Sequence, residues 1–309
     1  MDETDARICG LLMANSRVPL RELADQLGLS LQAVHRRIQV MQEQGVIRGY
    51  PASLSFSYLN AVVVYLFGTS SLRSMEDAVE RLKGSDRTYI VLVCGLNYLS
   101  IGAVLKDLSE LEEYLSFARS AARIEDLKVG LMSMTKLGRV DMGRTDRETD
   151  LTALDYRIVH ALKDDARRPV EEVAAELGTS AATARRRLAR MVEHGMITLG
   201  MDWRPSASGD MVSQLHVTLR GGADKLKVAN ALASKHSSRV LALVTFSNLP
   251  DFLLVVVWTS TMKELGGLVE AFSAEEGVEM VTPNVIISEH RFPTWVDKIV
   301  DRRGGPSPR

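Results

Sequence analysis

Long apolar runs are missing from this chain of 309 residues. No stretch approaches the roughly 20 consecutive apolar residues that a membrane-spanning helix needs. The acidic opening Met1-Asp2-Glu3 lacks the basic start of a secretory signal. Both absences lead us to expect a cytoplasmic protein with no membrane partner. Cysteine is scarce: Cys9 and Cys94 each sit inside an apolar run and share no C-x-x-C spacing. Buried free thiols fit this better than a zinc site or a redox pair. Nor is there an excess of charge of one sign, since 38 Lys and Arg face 39 Asp and Glu for a net charge of -1. No global field then draws the chain to nucleic acid or to an anionic membrane, and any such contact must rest on locally concentrated charge. A G-x-x-x-x-G-K-[ST] phosphate loop is also lacking, and no Ser-His-Asp constellation can be argued from spacing. The expectation is a chain without catalytic residues, bound metal or cofactor.

What the chain does have is a repeat. Residues Asp5 to Ile47 align without a gap on Asp155 to Ile197 at a constant offset of 150, and 17 of these 43 positions are identical. A fixed offset signals one folding unit used twice. Each copy opens with an apolar stripe at helical spacing, Ile8, Leu11 and Leu12 or Ile158, Ala161 and Leu162. After a break, Pro19 or Pro169 suits the first turn of a short second helix carrying Leu20, Leu23, Ala24 and Leu27, or Val170, Val173, Ala174 and Leu177. Gly28 and Gly178 are placed to stop it, and Ser30 and Ser180 to N-cap a third helix. Three helices with a Gly-x-Ser turn between the last two form the helix-turn-helix pattern.

The segments that follow also recur. Strand-like runs and amphipathic stretches alternate as β-α-β-β-α-β from Ala61 to Met134, and again from Leu215 to Ser288. This split arrangement puts both helices on one face of a four-stranded antiparallel sheet. The other, apolar face must be covered, most simply by the matching sheet of the other half. The fold class expected is therefore α+β. It combines two winged-helix/helix-turn-helix domains (1–52 and 151–204) with two ferredoxin-like βαββαβ domains (58–137 and 211–291), whose sheets pack as an intrachain pseudo-dimer. A polar linker is expected at 138–150 and a disordered tail at 301–309.

The third helix carries the chemistry. On a wheel of about 100° per residue, Ile38 and Met41 fall within roughly 40° of Val34 and define the core face. Arg36, Gln32 and Gln39 lie about 200°, 160° and 140° from Val34 and point outward, with His35 intermediate. In the second copy Ala182, Arg186 and Ala189 face out, Arg185 is intermediate and Arg190 lies on the outer flank. Outward Arg and Gln suit a major groove, where Arg reads guanine and Gln reads adenine. The helix N-terminal part usually approaches the bases, which favours Gln32, Ala33 and Arg36, with Ala182, Thr183 and Arg186. Arg185 and Arg190 suit phosphate contacts. Arg37 and Arg187 flank the buried stripe and suit either an ion pair with an acidic residue of the first two helices or a phosphate contact. The candidate DNA-binding set is thus Ser30, Gln32, Ala33, His35, Arg36, Arg37, Gln39, Ser180, Ala182, Thr183, Arg185, Arg186, Arg187 and Arg190.

The runs Asp5-x-x-Ile8, Arg17-x-Pro19, Glu22-Leu23-Ala24, Leu27-Gly28-Leu29-Ser30, Arg36-Arg37-Ile38 and Glu43-x-Gly45-Val46-Ile47-Arg48-Gly49-Tyr50 resemble the DNA-binding domain of the leucine-responsive/asparagine-regulator (Lrp/AsnC) transcription factors. The sheet segments resemble that family's effector-binding and oligomerisation domain. The likeness runs over nearly the whole chain, twice, where typical members carry one copy of each domain. It implies double-stranded DNA as partner, self-association to at least a homodimer of this chain, and a small effector such as an amino acid. In the family the effector lies near a Gly-x-x-Asp-like turn between the second and third strands. Here those turns read Gly95-Leu96-Asn97-Tyr98 and Asn248-Leu249-Pro250-Asp251. They nominate Gly95, Asn97, Tyr98, Asn248 and Asp251, although the first turn has Tyr where Asp is expected and the second has lost its Gly. Two alternatives stay open. Sirohaem decarboxylases resemble the same two-domain family, although His216, His236 and His290 are scattered and the first sheet domain has no histidine. A module that binds partners other than DNA is compatible with the near-neutral charge.

Overall fold

The computed structural model describes residues 1–133 and 150–305. In chain order the first copy forms α1 (Glu3–Ala14), α2 (Leu20–Leu27), α3 (Leu31–Glu43), β1 (Ile47–Gly49), β2 (Ala52–Leu54), β3 (Val62–Thr69), α4 (Met75–Leu82), β4 (Thr88–Cys94), β5 (Tyr98–Leu105), α5 (Leu111–Ala122) and β6 (Lys128–Leu131). The second copy forms α6 (Ala153–Leu162), α7 (Val170–Glu176), α8 (Ala181–Glu193), β7 (Ile197–Leu199), β8 (Asp202–Trp203), β9 (Met211–Leu219), α9 (Lys225–Lys235), β10 (Val240–Thr245), β11 (Phe252–Thr259), α10 (Met262–Ser273) and β12 (Val278–Arg291). A last helix, α11 (Trp295–Gly304), closes the described chain. These elements make two compact units. One holds both helix-turn-helix copies with α11, and the other holds both βαββαβ copies.

In the helical unit, local chemistry sets each boundary. A capping box starts α1 through Asp2 and Asp5, and another starts α6 through Thr152 and Asp155. Gly28 and Gly178 adopt φ of 66° and 65° just beyond α2 and α7, a left-handed conformation that favours glycine. Ser30 Oγ then accepts the Ala33 N–H at 3.1 Å, and Ser180 Oγ accepts the Thr183 N–H at 3.1 Å. Val34, Ile38 and Met41 of α3 are buried, as are Ala184, Leu188 and Met191 of α8.

The strands that leave the third helices do not fold back into a hairpin within their own copy. They are exchanged: β1 pairs with β8 through Ile47–Trp203 and Gly49–Asp202, and β2 pairs with β7 through Ala52–Leu199, Ser53–Thr198 and Leu54–Ile197. Each strand is too short to be stable alone, so the pairing needs both copies. Arg48 reinforces it with an ion pair to Asp202 at 2.9 Å. The repeated arginines lie in the same seam, Arg17 donating to the Arg168 carbonyl at 2.5 Å and Arg167 lying over the Tyr50 ring.

The tail expectation needs correction. Residues 301–304 are helical, part of α11, and only 306–309 lie outside the described residues. Trp295, Val296 and Val300 are buried, Lys163 Nζ meets Asp301 Oδ1 at 2.8 Å, and Arg303 donates to the Tyr156 hydroxyl at 3.0 Å. Buried apolar side chains and tethers to α6 hold a segment whose Gly-Gly-Pro-Ser-Pro ending suggested disorder. The linker expected at 138–150 falls outside the described residues except for Asp150.

In the sheet unit, eight strands run in the order β10-β11-β9-β12-β4-β5-β3-β6. The long β12 lies between β9 of its own half and β4 of the other half. At the opposite end Met132 bridges Phe246, the Ser133 N–H donates to the Thr245 carbonyl at 2.8 Å, and the Ser247 N–H to the Leu131 carbonyl at 2.8 Å. The two ends of the sheet therefore meet, which removes the open edges. One apolar layer joins α4 and α5 to their half of the sheet, and a second joins α9 and α10 to theirs. The opposite faces of the two halves meet in an aromatic layer of Phe67, Phe246 and Phe252, flanked by Tyr65 and Tyr98.

Candidate nucleic-acid interface

The outer faces of α3 and α8 are open to solvent. On α3, Gln32, His35, Arg36 and Gln39 are exposed, Ala33 and Arg37 half-buried, and Ser30 exposed beside its cap. Gln32, Ala33, Arg36 and Arg37 line an open groove that continues to Asp2 and Asp5 at the start of α1. On α8, Ala182, Arg185, Arg186 and Ala189 are exposed, Thr183, Arg187 and Arg190 half-buried, and Ser180 exposed. The helical wheel thus placed most of the set on the face it expected. Arg36 and Arg186 occupy the same position in the two copies and have no ion pair among the described residues.

Three guanidinium groups of the candidate set pair with carboxylates at the start of the first helix of their own copy. Arg37 Nη1 lies 2.7 Å from both Asp2 Oδ2 and Asp5 Oδ1. Arg187 Nη1 is 3.1 Å from Asp155 Oδ1 and 3.0 Å from the Thr152 hydroxyl, and Arg190 Nη2 is 2.8 Å from Asp155 Oδ2. For Arg37 and Arg187 the structure shows the ion pair with helix one that the sequence left open. Arg190 corrects the wheel: its outer-flank placement gives way to an inward turn. The reason is a substitution at the cap. Thr152 stands where the first copy has Asp2, so among the described residues Asp155 is the lone carboxylate of its corner, and it is fully buried. An isolated buried charge is costly unless paired, and two arginines pair it. Burial alone would raise the Asp155 pKa, but the Thr152 N–H and hydroxyl and Arg187 outweigh it and hold the carboxyl below its usual range.

One relevant side chain escaped the sequence reading. Glu171, in the first turn of α7, forms an ion pair with Arg185, both groups exposed. The repeat contained the signal, since position 171 matches Arg21, a reversal of charge at constant offset.

The structure gathers the candidate effector residues at two turns of the sheet unit. Gly95, with φ of 57°, and Asn97 join β4 to β5, and the intervening Leu96 is exposed. Asn97 Nδ2 donates to the Ser70 carbonyl at 3.0 Å, while the Tyr98 ring packs 5.7 Å from the ring of His216. At the β10–β11 turn, Asn248 accepts the Leu131 N–H at 2.7 Å and donates to the Val129 carbonyl at 2.9 Å. The Asp251 carbonyl accepts the Leu219 N–H at 2.9 Å. Both asparagines therefore already tie a turn to a neighbouring strand. Cys9 and Cys94 are buried, and burial pushes both thiols up, Cys94 to about 12. Among the described residues no group of three or more His, Cys, Asp or Glu could hold a metal ion, and no helix is long and apolar enough to cross a membrane.

Residues 1–48 match the family model described as winged helix-turn-helix DNA-binding, and residues 151–192 match the AsnC-type helix-turn-helix domain. The chain is 37% identical over 106 residues to a proline dehydrogenase transcriptional activator of Rhodobacter capsulatus, covering 32% of this chain and 68% of that protein. It is 30% identical over 118 residues to the HTH-type transcriptional regulator Ptr1 of Methanocaldococcus jannaschii, covering 38% of this chain and 80% of that one. Among solved structures, the siroheme decarboxylase NirDL is similar over 98% of both chains with a TM-score of 0.60 and 16% identity. At that identity the likeness concerns the fold alone.

Proposed function

The chain belongs to the Lrp/AsnC family of helix-turn-helix transcription regulators, and from that premise we propose that it binds double-stranded DNA sequence-specifically through α3 and α8. The observation that carries this reading is the pair Arg36 and Arg186. Each is exposed, free of ion pairs among the described residues, and held two turns or less from a serine-capped helix start in one compact unit. A guanidinium so placed can make a bidentate contact to guanine in the major groove. The exchanged strands join both readers in that unit, so the spacing between half-sites is set by the protein.

The same reading includes self-association of the chain and a small-molecule effector, such as an amino acid, at the β4–β5 and β10–β11 turns. It also holds that the chain is not an enzyme. His216 packs against the rings of Phe67, Tyr98 and Phe252 with Lys128 nearby, and this environment favours a neutral packing role over acid–base work. A purified chain with a Soret band would overturn that part.

The central test is selection of bound fragments from genomic DNA, repeated with amino acids and other small metabolites. Replacing Arg36 and Arg186 together by Ala should abolish selective binding and leave the folded state intact by circular dichroism. Unchanged affinity in the double variant would show that the wrong surface was assigned.

A further inference from the structure

The two recognition helices align without a gap, and beside the apolar exchanges Val34/Ala184 and Ile38/Leu188 in the core several of their mismatches fall on the exposed face. At the repeat offset Gln32 corresponds to Ala182, His35 to Arg185, Gln39 to Ala189 and Arg21 to Glu171. On α3, the side chains of Gln32, His35 and Arg36 are exposed and make no hydrogen bond or ion pair among the described residues, and Gln39 bonds only to the neighbouring Glu43 at 3.0 Å. On α8 the corresponding surface has little left to offer a base edge. Ala182 and Ala189 carry no hydrogen-bonding group. The Thr183 hydroxyl is 2.9 Å from Ser180 Oγ, which is itself the helix cap. Arg185 is tied to Glu171. Arg186 remains.

Accepting the DNA-binding reading above, on which this step rests, we infer that the two readers have unequal duties. The α3 half supplies most of the base discrimination. The α8 half contributes one arginine contact in common with it and otherwise anchors the duplex without reading it. The chemistry follows from the groove code. Glutamine can pair with the N6 and N7 edge of adenine, and arginine with the O6 and N7 edge of guanine, whereas an alanine methyl can meet only the methyl group of thymine. Arg21 lies exposed in the first turn of α2 with no ion pair among the described residues, positioned for a phosphate. Glu171 at the matching site does the opposite: it places a carboxylate there and holds back the one guanidinium that α8 adds relative to α3 at that position. Glu171 is thereby a specificity-determining residue, although it carries the wrong charge to bind the backbone.

The test uses the full chain and selection from a random duplex library, with affinity then read on the enriched duplex over a range of salt. The expected wild-type site has several fixed base pairs in one half and about one in the other. Gln32→Ala should relax a single position in the rich half and weaken binding by about tenfold, the scale of one bidentate base contact. Ala182→Gln should create a new preference in the poor half. Glu171→Gln should free Arg185, raise affinity by roughly threefold and steepen the salt dependence by about one counterion. All of these positions are solvent-facing, so thermal melting should be unchanged. A wild-type site with both halves equally fixed overturns the division of duty and leaves DNA binding standing, and so does a Glu171→Gln chain with the same affinity and salt slope as wild type. A wild-type chain that enriches no duplex overturns both readings.

Discussion

At the scale of single residues, the two copies solve one electrostatic problem in two ways. In the first copy one arginine, Arg37, faces two carboxylates that keep some access to water. In the second copy two arginines face one carboxylate that has none. The wheel was sound for Gln32, Arg36, Ala182 and Arg186 because an outward direction needs only helical periodicity. It misplaced Arg190 because the direction of a long side chain is decided by its partner, and that partner lies 35 residues earlier in the sequence. The two corners should also differ in stability. Asp155→Ala removes the one carboxylate that, among the described residues, pairs with two half-buried guanidinium groups and should cost about 3 kcal/mol. Asp5→Ala leaves Asp2 in place beside Arg37 and should cost about 1 kcal/mol. Urea unfolding of the two variants measures both, and equal losses would contradict the compensation argument. The pH dependence has a fixed sign. The folded-state pKa of Asp155 is below the ordinary 3.8, so its contribution is complete above that value and is lost as pH falls below it.

At the scale of elements, the helices and long strands are legible in the sequence and the pairing of the short strands is not. Caps, glycine stops and apolar spacing determine α1 to α3 and α6 to α8 from within a few residues. Strands of two or three residues such as β1, β2, β7 and β8 carry no periodic signal, and their partners are about 150 residues away. The C-terminal end of α11, from Asp301, resembles a tail in sequence because its stabilisation is tertiary. It approaches α6 closely at Gly304, where a Cβ would collide with the Tyr156 carbonyl and with the His160 side chain. The collision is with backbone, which cannot swing away. Gly304→Val should therefore detach α11 and lower stability by about 2 kcal/mol. Hydrogen exchange should show faster exchange across Trp295–Gly304 while β4 and β9 stay protected, and unaltered protection of α11 would refute the close packing.

At the scale of the whole molecule, the duplication supplies within one chain the second surface that each half lacks. Each helix-turn-helix copy takes its partner strands from the other copy, and each four-stranded sheet has an aromatic face that the other sheet covers. The sequence allowed that covering to be expected from the open apolar faces alone. The residues that meet in the layer could not be read, because they depend on how the sheet closes at Met132 and Phe246. His216 is the informative one. Its ring lies 4.9 Å from Phe67 and 5.2 Å from Phe252, burial pushes its pKa down to about 4, and the nearby Lys128 adds to the effect. Tyr98 is the other titratable side chain packed on it, and burial raises that phenol to about 12, so it stays neutral throughout the acid range. A histidine with folded pKa near 4 and unfolded pKa near 6.5 takes up its proton first in the unfolded chain. Stability is therefore full above pH 6.5 and declines as pH falls towards 4, by a total on the order of 3 kcal/mol. This window lies above the one in which Asp155 titrates, so the two effects separate on the pH axis. His216→Phe keeps an aromatic ring in the layer and removes the titration. Its melting temperature should vary less than that of wild type between pH 6.5 and 4 and run parallel to it above pH 7. If the two chains lose stability in parallel through the acid window, the layer does not exclude the proton and His216 is not the group that senses it.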